Sequence, residues 1–471
     1  MKSRTSISQR PRKSPLLWTL YLLFIVAFAW GYSFLGTLLI LERNTDPNAQ
    51  PQASYIDAVY RSASAPEQGR RSILGDFTGA FPRYTDGMVD PLFPWLMRSQ
   101  ATAPPDELFE RGKWVNFILC GSLLAVLAVG AARAFSFSGA AAIVLMGGFG
   151  VILERSTYFS PDALFHMIVV MAWLCALSLL RQNHLWLYGA FGGLLGLAYL
   201  AKPLIWPTVL AFVVVSAVRS AWVGVRSRKN RGETPLWVPS NQLVGSAMAI
   251  AAFLLVTGPR LSYAGSVFGD PFHSYQKYEI WLDSPAEAAR FRQSYPGKDE
   301  LAAIPLAERP GLRRFLREEG AENLAERAWN GALEQIRTSA LGRRRAIVLY
   351  TFAVFLVVAS IHRWAALHQG EEIWQVRGTS AFWMILFLAA SLLLSLFYAG
   401  VGSPVAPYSA LVTSLFLPII LTFVWISERY RRQLQRSRYA SLVNRLYAVL
   451  MSGPIVWIAF LVFRSLQAVM A

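Results

Sequence analysis

Leu16-Leu17-Trp18-Thr19-Leu20-Tyr21-Leu22-Leu23-Phe24-Ile25-Val26-Ala27-Phe28-Ala29-Trp30-Gly31-Tyr32-Ser33-Phe34-Leu35-Gly36-Thr37-Leu38-Leu39-Ile40-Leu41 contains no charged residue. A helix needs about 20 apolar residues to cross roughly 30 Å of hydrocarbon. This run is long enough to cross, too long for the apolar region of a signal peptide, and followed by no small-residue cleavage site, so it is expected to remain as an anchor. The rest of the chain repeats the pattern. Hydrophobic residues make up 54% and charged residues 15% of 471 positions. Apolar runs of this kind lie near 16–41, 115–132, 139–153, 162–180, 185–201, 203–222, 241–258, 346–361, 381–399, 406–426 and 446–463. The fold class is therefore an all-α polytopic membrane protein of about eleven spans. The two cysteines, Cys120 and Cys175, both fall inside apolar runs, so they read as core residues rather than a disulfide or a metal site.

Orientation follows from Lys and Arg, which are retained on the cytoplasmic side in short loops. Lys2, Arg4, Arg10, Arg12 and Lys13 occupy the tail 1–15, and further clusters are Arg226, Arg228, Lys229 and Arg231, and Arg429, Arg431, Arg432, Arg436 and Arg438. These, with Arg133 and Arg181, share one face if the N-terminus is cytoplasmic. The net charge of +17 is then explained by topology and by contact with anionic headgroups. A nucleic-acid partner is not expected, because the charge is divided among loops. The chain divides into the tail 1–15, a transmembrane module 16–258 that includes a first extracytoplasmic loop 42–114, a second such loop 259–345, and C-terminal helices 346–471. Both loops are too polar to cross and too long to be turns, so binding or catalysis is expected there. In the second, Leu312, Phe315, Leu316, Leu324, Ala328, Ala332 and Ile336 repeat at helical spacing, which predicts one or two amphipathic helices on the membrane surface.

Candidate chemistry gathers on the outer face. Asp57 lies among Tyr55, Ile56, Val59 and Tyr60, a stretch able to lie on a membrane. The segment Arg83-Tyr84-Thr85-Asp86-Gly87-Met88-Val89-Asp90-Pro91-Leu92-Phe93-Pro94-Trp95 adds two aspartates. Thr-Asp-Gly around Asp86 is also a turn sequence, and helix capping is the leading reading of Asp90 before Pro91. In the short link 154–162, Asp162 either favours a helix dipole after Pro161 or serves as a metal or acceptor ligand. Lys202 interrupts a long apolar stretch; it either snorkels to the headgroups or meets a phosphate as a point charge. Arg83 and Arg260 are further cations near this face. His166, inside an apolar run, reads as a packed residue, whereas His273, near Asp270, is the better metal candidate. Phe268, Phe272, Tyr275, Tyr278 and Trp281 fit sugar stacking and an interfacial aromatic belt equally well.

These elements, in this order, resemble the polytopic, lipid-phosphate-dependent glycosyltransferases of the GT-C fold, in particular the branch with protein O-mannosyltransferases and bacterial aminoarabinose transferases. Asp57-Ala58-Val59-Tyr60 is similar to the acidic motif opening the family's first loop, with Ala58 where the family has glutamate. Pro91-Leu92-Phe93-Pro94-Trp95-Leu96 is similar to the segment entering its second span. Tyr158 to Phe165 resembles its second acidic segment, Gly193 to Pro203 its lysine-bearing element, and Phe268-Gly269-Asp270-Pro271-Phe272 the segment after its seventh span. The resemblance covers roughly residues 15–285. It implies a GT-C-type bundle in a bacterial inner membrane, a polyprenyl-phosphate sugar donor, a lipid, glycan or protein acceptor, and a possible divalent metal.

The residues support that chemistry independently. A polyprenyl-phosphate sugar is already activated, so the protein must deprotonate an acceptor hydroxyl and stabilise the leaving phosphate. Asp57 or Asp86 is expected as general base, and Lys202, Arg83 and Arg260 as phosphate ligands. Asp90, Asp162, Tyr60, Asp270 and His273 are candidate substrate or metal ligands. Displacement by the acceptor would invert the anomeric centre. The alternatives are a transporter or flippase of lipid-linked sugars, which often shows internal repeats and midplane charges, and an oligosaccharide ligase or polymerase, for which Arg313, Arg314 and Arg317 speak. A non-catalytic assembly subunit is the structural alternative.

Overall fold

The computed structural model describes residues 15–42, 45–47, 52–64, 87, 89–179, 184–230, 237–295, 298–305, 308–340, 343–369, 379–404, 409–434 and 440–470. Among these residues the chain is helical throughout, without a strand. Helix α1 is Pro15–Glu42, α2 Gln52–Ser64, α3 Leu92–Met97 and α4 Pro105–Ala134. Helix α5, Phe137–Ser156, includes a π-helical turn at Gly148–Ile152. There follow α6 Asp162–Leu179, α7 Leu185–Ala201, α8 Trp206–Asn230 and α9 Trp237–Phe268. The second loop carries α10 Tyr275–Glu279, α11 Pro285–Ser294, α12 Lys298–Ala303, α13 Leu312–Glu318 and α14 Gly320–Ala340. The chain ends with α15 Arg343–Gln369, α16 Thr379–Gly402, α17 Ser409–Ser414, α18 Phe416–Leu434 and α19 Ala440–Met470.

Eight described helices are long and apolar enough to cross a membrane, and the apolar segments Leu185–Ala201 and Val348–Trp364 are shorter. The protein is a polytopic helical membrane protein. Several helices outrun their expected limits. Helix α4 begins ten residues before the apolar run, because Pro105 suits a first helical position and Asp106 and Glu107 favour the dipole of the first turn. Helix α9 continues through Pro259 to Phe268, so Arg260 sits in a helix rather than in the second loop.

The tightest seam joins α7 to α9. A Cβ on Gly192 would stand 1.9 Å from the Ala249 carbonyl oxygen, and one on Gly196 would stand 2.8 Å from Val256 Cβ. Glycines four apart let two backbones touch where any side chain would separate them. At the opposite end from the site described below, Glu428 of α18 is buried. It accepts from the Ser136 amide at 3.0 Å and from the Ser136 hydroxyl, and pairs with Arg431 at 2.8 Å. Arg432 donates to the Ala134 carbonyl at 2.7 Å. Arg432, read as a topology marker, thus also binds α18 to the α4–α5 turn, and Arg431 pairs with the Glu428 that holds Ser136 there.

The amphipathic stretch of the second loop forms two helices, α13 and α14, with Gly320 at φ +85° making the corner. Helix α14 docks on α16, where a Cβ on Gly331 would stand 2.1 Å from the Gly400 carbonyl oxygen. Arg327 fastens the same contact by donating to Val401 at 2.8 Å and to Ile280 at 3.1 Å. One face of α14 therefore packs on the bundle, and Trp329, 67% exposed, stands on the outside.

Candidate functional site

Helix α2 is amphipathic. Tyr55, Ile56 and Val59 bury themselves with Phe93, Met97, Leu108, Phe109 and Phe159, and the same helical turn leaves Asp57 exposed to solvent. Gln52 accepts from the Phe159 amide at 2.9 Å, which pins α2 to the link before α6. Tyr60 spends its hydroxyl on the Ala103 carbonyl at 2.7 Å. It is a clamp between α2 and the approach to α4.

The link 154–162 is held from behind by Asn116, whose side chain donates to Tyr158 at 3.0 Å and to Ser160 at 3.2 Å. Asp162 at its end meets two cations. Arg155 reaches it at 3.1 Å, and Lys202 pairs with its other carboxylate oxygen. Lys202 reaches this point because α7 stops there: its backbone is extended, its amide closes the last turn onto Ala198 at 2.8 Å, and Pro203 follows. Neither snorkelling nor a bare charge describes this lysine, since a carboxylate neutralises it. His166 is packed as expected, with Nδ1 on the Asp162 carbonyl at 2.5 Å and Nε2 on Thr413 at 3.2 Å.

Asp90 is the larger departure. It is 6% exposed, and the N-cap position of α3 is taken by Pro91, without a side-chain cap bond. Its charge acts on three tyrosines. Burial, and then the charges of Asp90 and Asp162, hold the Tyr55 phenol well above its ordinary range. Asp90 also lies within electrostatic reach of Tyr199 and Tyr398. Two carboxylates from separate segments therefore flank one tyrosine.

Arg260 completes the group from α9. It is 1% exposed, and it donates through Nη1 to the Tyr199 hydroxyl at 3.0 Å and through Nη2 to the His273 carbonyl at 3.1 Å. Among the described residues its Nε has no hydrogen-bond partner and no carboxylate forms an ion pair with it. A charge removed from water costs several kcal/mol, ~3–5 kcal/mol when its partner is deleted from a buried pair, so this guanidinium is prepared for an anion. Tyr199, one helical turn before Lys202, links the two cationic points. Next to them, Trp206 makes edge contacts with Tyr199 at 5.5 Å and with Phe272 at 5.5 Å.

The remaining candidates divide. Asp270 accepts from the Phe272 amide at 3.0 Å and pairs with Lys277 at 2.6 Å; with Gly269 at φ +70° it builds the turn after α9. His273 is 1% exposed, stacked on Phe268 with centroids 3.9 Å apart, and burial lowers its pKa to about 4. Among the described residues no group of three His, Cys, Asp or Glu side chains could hold a metal. Arg83 and Asp86 lie outside the described residues. Gly87 is described, and its carbonyl accepts from the Tyr275 amide at 3.1 Å, so the first loop touches the second immediately after Asp86.

Lys202 and Arg155 thus meet Asp162, Arg260 meets Tyr199 three residues before Lys202, and Asp90 acts electrostatically on Tyr55 and Tyr199, while Tyr60 and Asp270 are engaged in local contacts and Asp57 is exposed. Arg155 was in view in the sequence without a role. The available signal was an Arg–Asp pair seven residues apart in a short outer link, where topology alone gives no reason for an arginine. Chemically, the cluster offers carboxylates able to accept a proton beside cations able to hold phosphate oxygens. No protein-family model, no curated protein and no solved structure matches the chain.

Proposed function

We propose that this protein is a membrane glycosyltransferase that moves a sugar from a polyprenyl-phosphate donor to an acceptor hydroxyl on the extracytoplasmic side of a bacterial inner membrane, with a GT-C-type bundle. The observation that carries the reading is Arg260, a buried guanidinium without a carboxylate partner among the described residues, linked through Tyr199 to the end of α7 where Lys202 and Arg155 surround Asp162. Three cations facing Asp90 and Asp162 leave an excess positive charge, which suits a phosphate.

Asp90 replaces Asp57 as the leading base, because it is buried in this cluster whereas Asp57 faces solvent. The acceptor oxygen attacks the anomeric carbon as its proton passes to the carboxylate. The bond from that carbon to the phosphate oxygen breaks, and the electron pair leaves with the phosphate, which Arg260 and Lys202 stabilise. Attack opposite the leaving group inverts the anomeric centre. The concentration of charges at the outer ends of α6, α7 and α9, rather than midway along them, favours this over transport.

Radiolabelled sugar transfer by membranes with and without the protein, across a panel of polyprenyl-phosphate sugars, tests the proposal. A protein-dependent product that disappears in Arg260→Gln is expected. Transfer in no arm of the panel, with the protein present and folded, would leave only the fold.

A further inference from the structure

The ring of His273 is buried, at 1% exposed, with both of its nitrogens, Nδ1 and Nε2, unpartnered among the described residues. Buried polar groups are almost always paired, and leaving one unpaired costs ~1–3 kcal/mol. The ring cannot turn to find a protein partner: Phe268 stacks on it with planes 14° apart, Tyr275 meets it edge-on at 5.3 Å, and Tyr278 closes a third side at 6.0 Å. Its backbone is fixed as well, the amide donating to Asp270 at 3.0 Å and the carbonyl accepting from Arg260 at 3.1 Å.

Gly87 covers the ring. A Cβ there would stand 2.5 Å from His273 Nε2, and φ at Gly87 is +77°, so only glycine brings the first loop this close. The charged groups acting on the imidazole are Asp270, Arg260 and Lys277, and Asp270 and Lys277 are paired with each other. Arg260 is left with an unpartnered Nε of its own. Two neighbouring residues, joined by a hydrogen bond from the Arg260 side chain to the His273 main-chain carbonyl, thus each carry a buried side-chain nitrogen without a partner, and an oxyanion is a ligand that accepts from such donors.

We infer that His273, with Arg260, binds the phosphoryl group of the donor, donating through a ring N–H, and is a phosphate ligand rather than a metal ligand. This rests on the lipid-phosphate reading above. A carboxylate ligand would satisfy one donor readily, but the phosphodiester of the donor offers two non-bridging oxygens, and the polyprenyl monophosphate left after transfer offers three, enough for Arg260, His273 and Lys202 together.

The test uses the full-length protein in detergent and measures binding of a polyprenyl monophosphate, the matching polyprenol without phosphate, and inorganic phosphate as competitor. His273→Phe keeps the stacked ring and removes both nitrogens; His273→Gln restores an N–H donor. A lost charge-assisted hydrogen bond of ~1.5–3 kcal/mol corresponds to a rise of about 10–100-fold in Kd for the polyprenyl monophosphate in His273→Phe. Polyprenol binding should not change, His273→Gln should recover part of the affinity, and inorganic phosphate should compete less well in His273→Phe than in wild type. Equal affinity of folded His273→Phe and wild type for the monophosphate overturns the inference and leaves the glycosyltransferase reading standing. Wild type that binds polyprenol as tightly as its phosphate overturns both. A further measurement needs no stable variant: with ¹⁵N-histidine labelling, one of the five histidines should shift its ring nitrogens on adding inorganic phosphate, and no shift at saturation overturns the inference.

Discussion

Replacing Asp162 with asparagine removes one negative charge and almost no volume from the point where three segments meet. The carboxylate holds Lys202 from the end of α7 and Arg155 from the end of α5. Its side chain is 21% exposed and both cations are 14% exposed, so water screens the trio only in part. At an effective dielectric near 20, one pair at this separation is worth about 4 kcal/mol of gross attraction. Asparagine forfeits two such attractions and leaves two ammonium-type charges facing each other. Removing one partner of a buried pair costs ~3–5 kcal/mol; with the partial exposure, a loss of about 2–4 kcal/mol is expected. Equilibrium unfolding in mixed micelles, followed by tryptophan fluorescence, would measure it. The decisive comparison is a double-mutant cycle: Asp162→Asn with Lys202→Met should be less damaging than the two single losses added, by at least about 1 kcal/mol. A change below about 0.5 kcal/mol in Asp162→Asn, or strict additivity in the cycle, would refute the claim that this trio ties the outer ends of the bundle together.

Gly192→Ala should destabilise the protein by ~1–3 kcal/mol through forced separation of α7 and α9; a thermal midpoint equal to wild type would contradict the 1.9 Å clearance. In a transfer assay, Asp90→Asn should lower turnover by ~10²-fold or more, the usual worth of a general base, and Asp57→Asn should leave it within about twofold; the reverse ranking would return the role to Asp57. Because burial lowers the His273 pKa from 6.5 to about 4, the unfolded chain takes up a proton below pH 6.5 that the native protein refuses until about pH 4. Stability should therefore be flat in this term above pH 6.5 and fall by at most about 3 kcal/mol towards pH 4, and the difference between wild type and His273→Phe across that window measures it. Ser294→Cys, on an exposed position of α11, should react with an impermeant thiol reagent in intact cells; reaction only after the inner face is opened would invert the topology.

Eight of the eleven expected spans were legible because the thickness of hydrocarbon dictates length and composition together, which is why the run 16–41 needed no other argument. Helix ends were less so: the start of α4 at Pro105 depends on capping chemistry that an apolar count does not register. At the site, the charges most expensive to bury were readable one at a time, as Lys202, Asp162 and Arg260. Their pairing was not, because Asp162 and Lys202 are joined by the packing of α6 on α7 and by no periodicity within either. The exposure of Asp57 was legible. The helical spacing that buries Tyr55, Ile56 and Val59 puts Asp57 on the opposite side of the same helix, so the pattern that suggested a membrane-facing stretch also turned its aspartate away from the bundle. Asp90 was discounted because an aspartate before proline has an ordinary local use, and only the fold reveals its burial within electrostatic reach of Tyr55 and Tyr199.

The glycine seam between α7 and α9 has a mechanical consequence. Lys202 ends one of these helices and Arg260 rides on the other, so two backbones in contact at Gly192 and Gly196 carry both cations as a single body. The spacing between the charges is then preset like the jaws of a fixed wrench, and it does not adapt to the size of the anion placed between them. Access must come from elements that are not welded: the link bearing Arg155 and Asp162, and the first-loop turn at Gly87, rest on this body through hydrogen bonds and ion pairs that a charged ligand can exchange for its own.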